Sequence, residues 1–153
     1  MNGQGGYRAE CAAVPAGDLF PVPEEIPDEQ VASFVINPAS AILMVRRVPA
    51  VPRREWLRRS AAGSELGRMV IRPAKRDGIR TSNVVRRRES VAELEALGAD
   101  AVIVSTEGPI DEQVRKIVGP EGVRYAIDPV VGETGRGFSS RFTRMGGCWC
   151  TAP

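Results

Sequence analysis

Histidine is absent from the 153 residues, and with it go most of the ligand sets that hold zinc, which draw on imidazole or on clustered thiolates. Cysteine is scarce as well. Cys11, Cys148 and Cys150 are an odd number, and the one-residue spacing of the last two matches neither C-x-x-C redox chemistry nor a zinc knuckle, so they read as incidental thiols and no metal site is expected. Lysine is nearly missing: only Lys75 and Lys116 accompany the arginines, a bias that reflects a GC-rich gene more than a partner. The arginines are scattered, aromatic residues make up 5% and the net charge is only +2, which together count against a nucleic-acid-binding module. There is no apolar run of about 18 residues and no charged-then-apolar leader, so no membrane partner is expected and the location expected is cytoplasmic.

What is present is the composition of a globular domain, with 42% hydrophobic and 26% charged residues. Residues 1–23 are rich in Gly, Ala and Pro, with one extended run from Tyr7 to Val14. Asp28 can cap a helix whose apolar residues recur at Val31, Phe34 and Val35, and Asn37-Pro38 is expected to break it before a second helix over Ala39 to Val45. From Glu55 onward strand and helix patterns alternate. Strands are expected over Glu55–Ala61, Ile79–Val85, Ala101–Val104 and Val123–Ile127, with helices over Leu66–Arg76, Ser90–Leu97 and Asp111–Val118. Ser90 and Glu93 have capping-box spacing, and Gly98 closes that helix. Strict alternation of this kind predicts an α/β fold, a doubly wound parallel sheet with helices on both faces.

Two features carry chemistry. Ala62-Gly63-Ser64-Glu65-Leu66-Gly67 lies between the first strand and the following helix, with small residues at 62, 64 and 67 in the G-x-G-x-x-G spacing. Small side chains there allow a tight turn, close approach of backbone to a pyrophosphate and close helix–strand packing, while the helix start offers free amides and partial positive charge. About twenty residues beyond such a turn, an acid would bind a ribose 2′-hydroxyl. Here the second strand ends in Arg86-Arg87-Arg88. Guanidinium groups grip a 2′-phosphate that a carboxylate would repel, so NADPH is expected over NADH.

Ser60 to Arg68, Ala74-Lys75-Arg76, Asn83 to Arg88, Leu97 to Val102, and Asp128-Pro129 with Gly132 to Gly135 together resemble the medium-chain dehydrogenase/reductase superfamily. The resemblance is strongest to its zinc-independent quinone-reductase-like and 2-enoyl thioester reductase-like branches and runs from about Gly6 to Gly135. It implies a Rossmann fold, incomplete at its C-terminal end, and hydride transfer from NADPH to an enone, quinone or enoyl thioester. The implied cofactor-binding residues are Ala62, Gly63, Ser64, Glu65, Leu66 and Gly67 for the pyrophosphate and Arg86, Arg87 and Arg88 for the 2′-phosphate.

The same resemblance divides the chain. Residues 1–23 match the end of the family's N-terminal catalytic (GroES-like) domain, residues 24–135 its NADP-binding Rossmann domain, and residues 136–153 form an aberrant tail. Back-translated and read from the third base of each codon, Met145 to Ala152 permits the Gly-Gly turn and strand ending Val-Tyr-Gly that the family would place there. A frameshift between Gly132 and Phe138 is therefore the expected origin of the tail. Because the family's catalytic domain is almost wholly missing, no catalytic residue is assigned. The expected partner is a small-molecule substrate, and the homo-oligomer usual in the family is undermined because its pairing strands are missing. A non-enzymatic dinucleotide-binding remnant is the alternative function.

Three departures are expected to cost stability: Pro73 inside a helix, at about 3 kcal/mol, Arg58 and Arg59 in mid-strand, and Glu65, an acid facing the phosphate region.

Overall fold

The computed structural model describes residues 11, 13–34, 36–47, 50–130, 142–145 and 148–151. The chain separates into two compact units, Met1–Ala32 and Ser33–Pro153. Among the described residues of the first, a 3-10 turn spans Ala16–Asp18. The run from Tyr7 and the segment around Gly132 and Gly135 lie largely or wholly outside the described residues.

Helix α1 spans Asp28–Phe34 and α2 spans Ile36–Arg46. Asn37-Pro38 does not separate them, contrary to expectation. Both residues sit in the first turn of α2, where proline's missing N–H has no helical acceptor to lose, so Pro38 is compatible with the helix. The alternating pattern then appears as expected, with β1 (Trp56–Arg59), α3 (Glu65–Arg76), β2 (Arg80–Val85), α4 (Val91–Leu97), β3 (Ala101–Val104), α5 (Ile110–Val118) and β4 (Tyr125–Ile127). Pro73 lies inside α3, which continues through it to Arg76.

Gly98 ends α4 with φ 99, a left-handed conformation that suits glycine. The capping box at the other end does not form. Residues Arg88–Ser90 make a 3-10 turn running straight into α4, so Ser90 is already helical and its side chain makes no cap bond.

Strands β1 to β4 are mutually parallel in the order β3-β2-β1-β4, the arrangement of a Rossmann-like doubly wound sheet. The chain moves outward from β1 through β2 to β3, then returns through α5 to β4 on the other side of β1. That reversal leaves a crevice beyond the carboxyl ends of β1 and β4. Beyond it the sheet continues with β5 (Phe142–Met145) and β6 (Cys148–Thr151), a hairpin whose second strand runs antiparallel to β4. The tail thus supplies strands to the sheet edge, past the point where the recognisable sequence pattern stopped.

Side-chain alternation along β2 accounts for the helices on both faces. Val85 packs with Ile71 of α3 and Leu94 of α4, whereas Val84 packs on the other face with Val114 of α5 and Ile103. A third cluster joins Leu57 and Ile127 to Ala41 and Val45 of α2 and to Val70 and Ala74 of α3. β1 follows the same period, and its two arginines are buried on opposite sides. Arg58 donates to Asp111 Oδ1 in the first turn of α5 at 2.7 Å, while Arg59 donates to the Gly67 carbonyl in α3.

Candidate functional site

The turn after β1 is set by backbone demands. Ala61 adopts φ 49, in the left-handed region that residues with a Cβ seldom occupy. Its carbonyl accepts from the Ser64 amide at 3.0 Å and from Ser64 Oγ at 2.8 Å. Ser64 also caps α3, its Oγ accepting from the Gly67 amide at 3.1 Å and its carbonyl from the Arg68 amide at 2.9 Å. Among the described residues, the amides of Gly63, Glu65 and Leu66 find no hydrogen-bond partner. These three donors at a helix start are an anion-binding arrangement.

Gly67 has a different duty. A Cβ on it would lie 2.5 Å from the carbonyl oxygens of both Ala61 and Ala62, so only glycine lets α3 pack this close to the end of β1. At Gly63 a Cβ would meet Ser90 Oγ at 3.3 Å, placing the turn against the start of α4.

Beside the turn is a cleft of about 390 Å³ at the carboxyl ends of the parallel strands. Its walls include Ser60, Ala61, Gly63 and Ser64 from the turn, Val84 to Arg87 from the end of β2, and Ser90, Ser105 and Val130. The structure therefore brings Gly63, Ser64, Arg86 and Arg87 to one cavity. Ala62 and Gly67 are buried beneath it, Leu66 packs on the core, and none of the three lines it. Glu65 is exposed and pairs with Arg68 at 3.5 Å. Arg88 does not line the cleft; it is held at 2.5 Å by Glu107, whose carboxylate raises the arginine's pKa through a hydrogen bond.

Several contributors lie outside the residues expected to bind the cofactor. Ser60 donates to Asp128 Oδ1, which also accepts from the Val130 amide at 3.0 Å, so a buried aspartate after β4 ties down the floor of the crevice. Ser105 comes from the end of β3 and meets the other residues only through the parallel register of β2 and β3. No pattern near residue 105 announces that role.

Among the described residues, no group of three or more His, Cys, Asp or Glu side chains is placed to hold a metal ion. With no histidine in the chain, the residues described do not fit a zinc site. Among those residues, too, no helix is long and apolar enough to cross a membrane.

Comparison with known proteins gives this geometry a lineage. Residues 66–150 match the sequence profile of the zinc-binding dehydrogenase family, a match that extends past Gly135. A Caenorhabditis elegans protein named mitochondrial enoyl-acyl-carrier-protein reductase is 32% identical over 154 residues, covering 98% of this chain and 43% of the relative. The chain thus spans less than half the length of that protein. Among solved structures, a Bacillus thuringiensis protein described as an NADPH:quinone reductase superposes with a TM-score of 0.76 at 28% identity, covering 81% of this chain and 38% of the other. The Escherichia coli quinone oxidoreductase, solved with NADPH, superposes with a TM-score of 0.71 at 23% identity over 75% of this chain and 35% of its own, a likeness of fold.

Proposed function

The chain belongs to the medium-chain dehydrogenase/reductase superfamily, and from that premise we propose that its cleft binds NADPH and that it supplies the cofactor-binding part of an NADPH-dependent oxidoreductase. The observation that carries this reading is the convergence of two kinds of phosphate-binding group on one cleft. Gly63 and Ser64 bring the turn to the cleft, the partner-free amide of Gly63 being followed at the helix start by those of Glu65 and Leu66 for a pyrophosphate, and Arg86 and Arg87 line the same cleft for a 2′-phosphate. Arg88 adds positive charge nearby while paired with Glu107. The cleft volume, about 390 Å³, falls within the range of small-molecule and cofactor sites.

When bound, the nicotinamide supplies the hydride. The protein's described residues contribute binding, orientation and charge, and none is assigned to proton transfer. The substrate class proposed is an activated double bond or carbonyl conjugate: an enone, a quinone or an enoyl thioester. The names of the relatives, an enoyl-acyl-carrier-protein reductase and quinone reductases, support that range. A cytoplasmic location belongs to the reading, although the Caenorhabditis elegans relative is named mitochondrial; fractionation of the source cells distinguishes the two compartments.

Turnover assays with NADPH and one member of each substrate class test the enzymatic reading. Oxidation of NADPH that depends on one of these acceptors is expected. Saturable binding with no turnover on any of them would instead establish a non-enzymatic dinucleotide-binding protein.

A further inference from the structure

Arg58 and Arg59 are adjacent, equally buried at 3% exposure, and differently provided for. Arg58 meets an acid, Asp111. Arg59, on the opposite face, donates through Nη2 to the Gly67 carbonyl, and its Nε has no hydrogen-bond partner. Among the described residues no acid forms an ion pair with it. Burial alone pushes its pKa down to about 10, so it remains protonated at neutral pH. A buried cation is ordinarily matched by an anion, because the uncompensated charge is costly.

The surroundings sharpen the problem. Gly67 is the third residue of α3, so the guanidinium lies against the first turn of that helix, whose amino end is itself partially positive. Arg59 also borders a small apolar cavity of about 30 Å³ that Ser64 and Gly67 of the turn share with core residues, Met44, Val70 and Ile127 among them. The guanidinium, held on the Gly67 carbonyl, and the partner-free amides of Gly63, Glu65 and Leu66 are thus two positive sources at the start of one helix. Without an anion they repel each other.

We propose that Arg59 is the buried counter-charge for the bound dinucleotide's pyrophosphate, acting from behind the turn and through its field. The ligand phosphates are the anion that the protein itself omits. This inference rests on the cofactor reading above and adds a binding residue to it. In the water-excluded interior the attraction is screened far less than at the surface, so Arg59 contributes affinity for the pyrophosphate of NADPH and NADH alike. Arg86 and Arg87 are left to discriminate between the two cofactors.

The test uses the full chain with two probes, inorganic pyrophosphate and NADPH, reading the unfolding temperature with and without ligand and the dissociation constant. Arg59→Met removes charge and donor; Arg59→Gln keeps a donor for the Gly67 carbonyl and removes only the charge; Arg59→Lys keeps the charge. Arg59→Met and Arg59→Gln are expected to bind both probes roughly tenfold or more weakly, the range of a charged interaction. Their unliganded unfolding temperature is expected to be no lower than the parent's, and Arg59→Lys to restore most of the affinity. If Arg59→Met does not fold, Arg59→Gln decides. Parent-like affinity in a folded, uncharged variant overturns the proposal while leaving the cofactor reading intact. A parent chain that binds pyrophosphate through Arg59 but not NADPH overturns the cofactor reading alone, and a parent that binds neither overturns both.

Discussion

The two walls of the cleft are built on different physics. The turn is set by shape: Gly67 is excluded from bearing any side chain by two carbonyl oxygens at 2.5 Å, and Ser64 closes the turn from both ends through its hydroxyl. The arginine wall is set by charge: Arg86 and Arg87 line the cleft after β2, and outside the cleft Arg88 pairs with Glu107. A wall of the first kind fails by unfolding, whereas one of the second kind fails by losing a ligand. Substitutions in the two walls should therefore separate stability from selectivity.

Gly67→Ala should have the largest effect. The new methyl has no space, and overpacking against backbone is expected to cost about 3 kcal/mol or more, a large part of a domain's stability, measured as a lower urea midpoint. Next comes the double substitution Arg86→Ala with Arg87→Ala. It should weaken NADPH roughly tenfold to a hundredfold, leave NADH nearly unchanged and leave the urea midpoint in place; equal losses for both cofactors would erase the division between the walls. Ser64→Ala removes the cap of α3 and should cost about 1 kcal/mol in the same denaturation experiment. Arg88→Ala should change NADPH affinity by no more than about twofold, since its partner is an exposed acid outside the cleft. A larger loss would move the charged wall outward to residue 88.

Much of this was legible in the sequence because it depends on local pattern. Alternating strand and helix signals, small residues at 62, 64 and 67, and arginines after the second strand predict the parallel sheet, the turn and the charged wall. What was not legible depends on partners distant in the chain or on the detail of a helix start. Pro38 reads as a breaker, yet in the first turn of α2 it interrupts nothing. Ser90 has the right spacing for a cap, but a preceding 3-10 turn gives it a helical backbone. Arg58 reads as a mid-strand defect until α5 brings Asp111 to it across 53 positions. β6 pairs with β4, and β5 with β6, through backbone bonds that no hydrophobic pattern announces.

The central claim is that the cleft selects NADPH. Titration of the full chain with NADPH and with NADH, followed by intrinsic tryptophan fluorescence and accompanied by circular dichroism, tests it most directly. The account predicts saturable binding of both to a folded chain, with NADPH tighter by roughly tenfold, the contribution of one or two charge-assisted contacts to the 2′-phosphate. Equal affinity for the two cofactors, or no saturation by either with the fold intact, would contradict it.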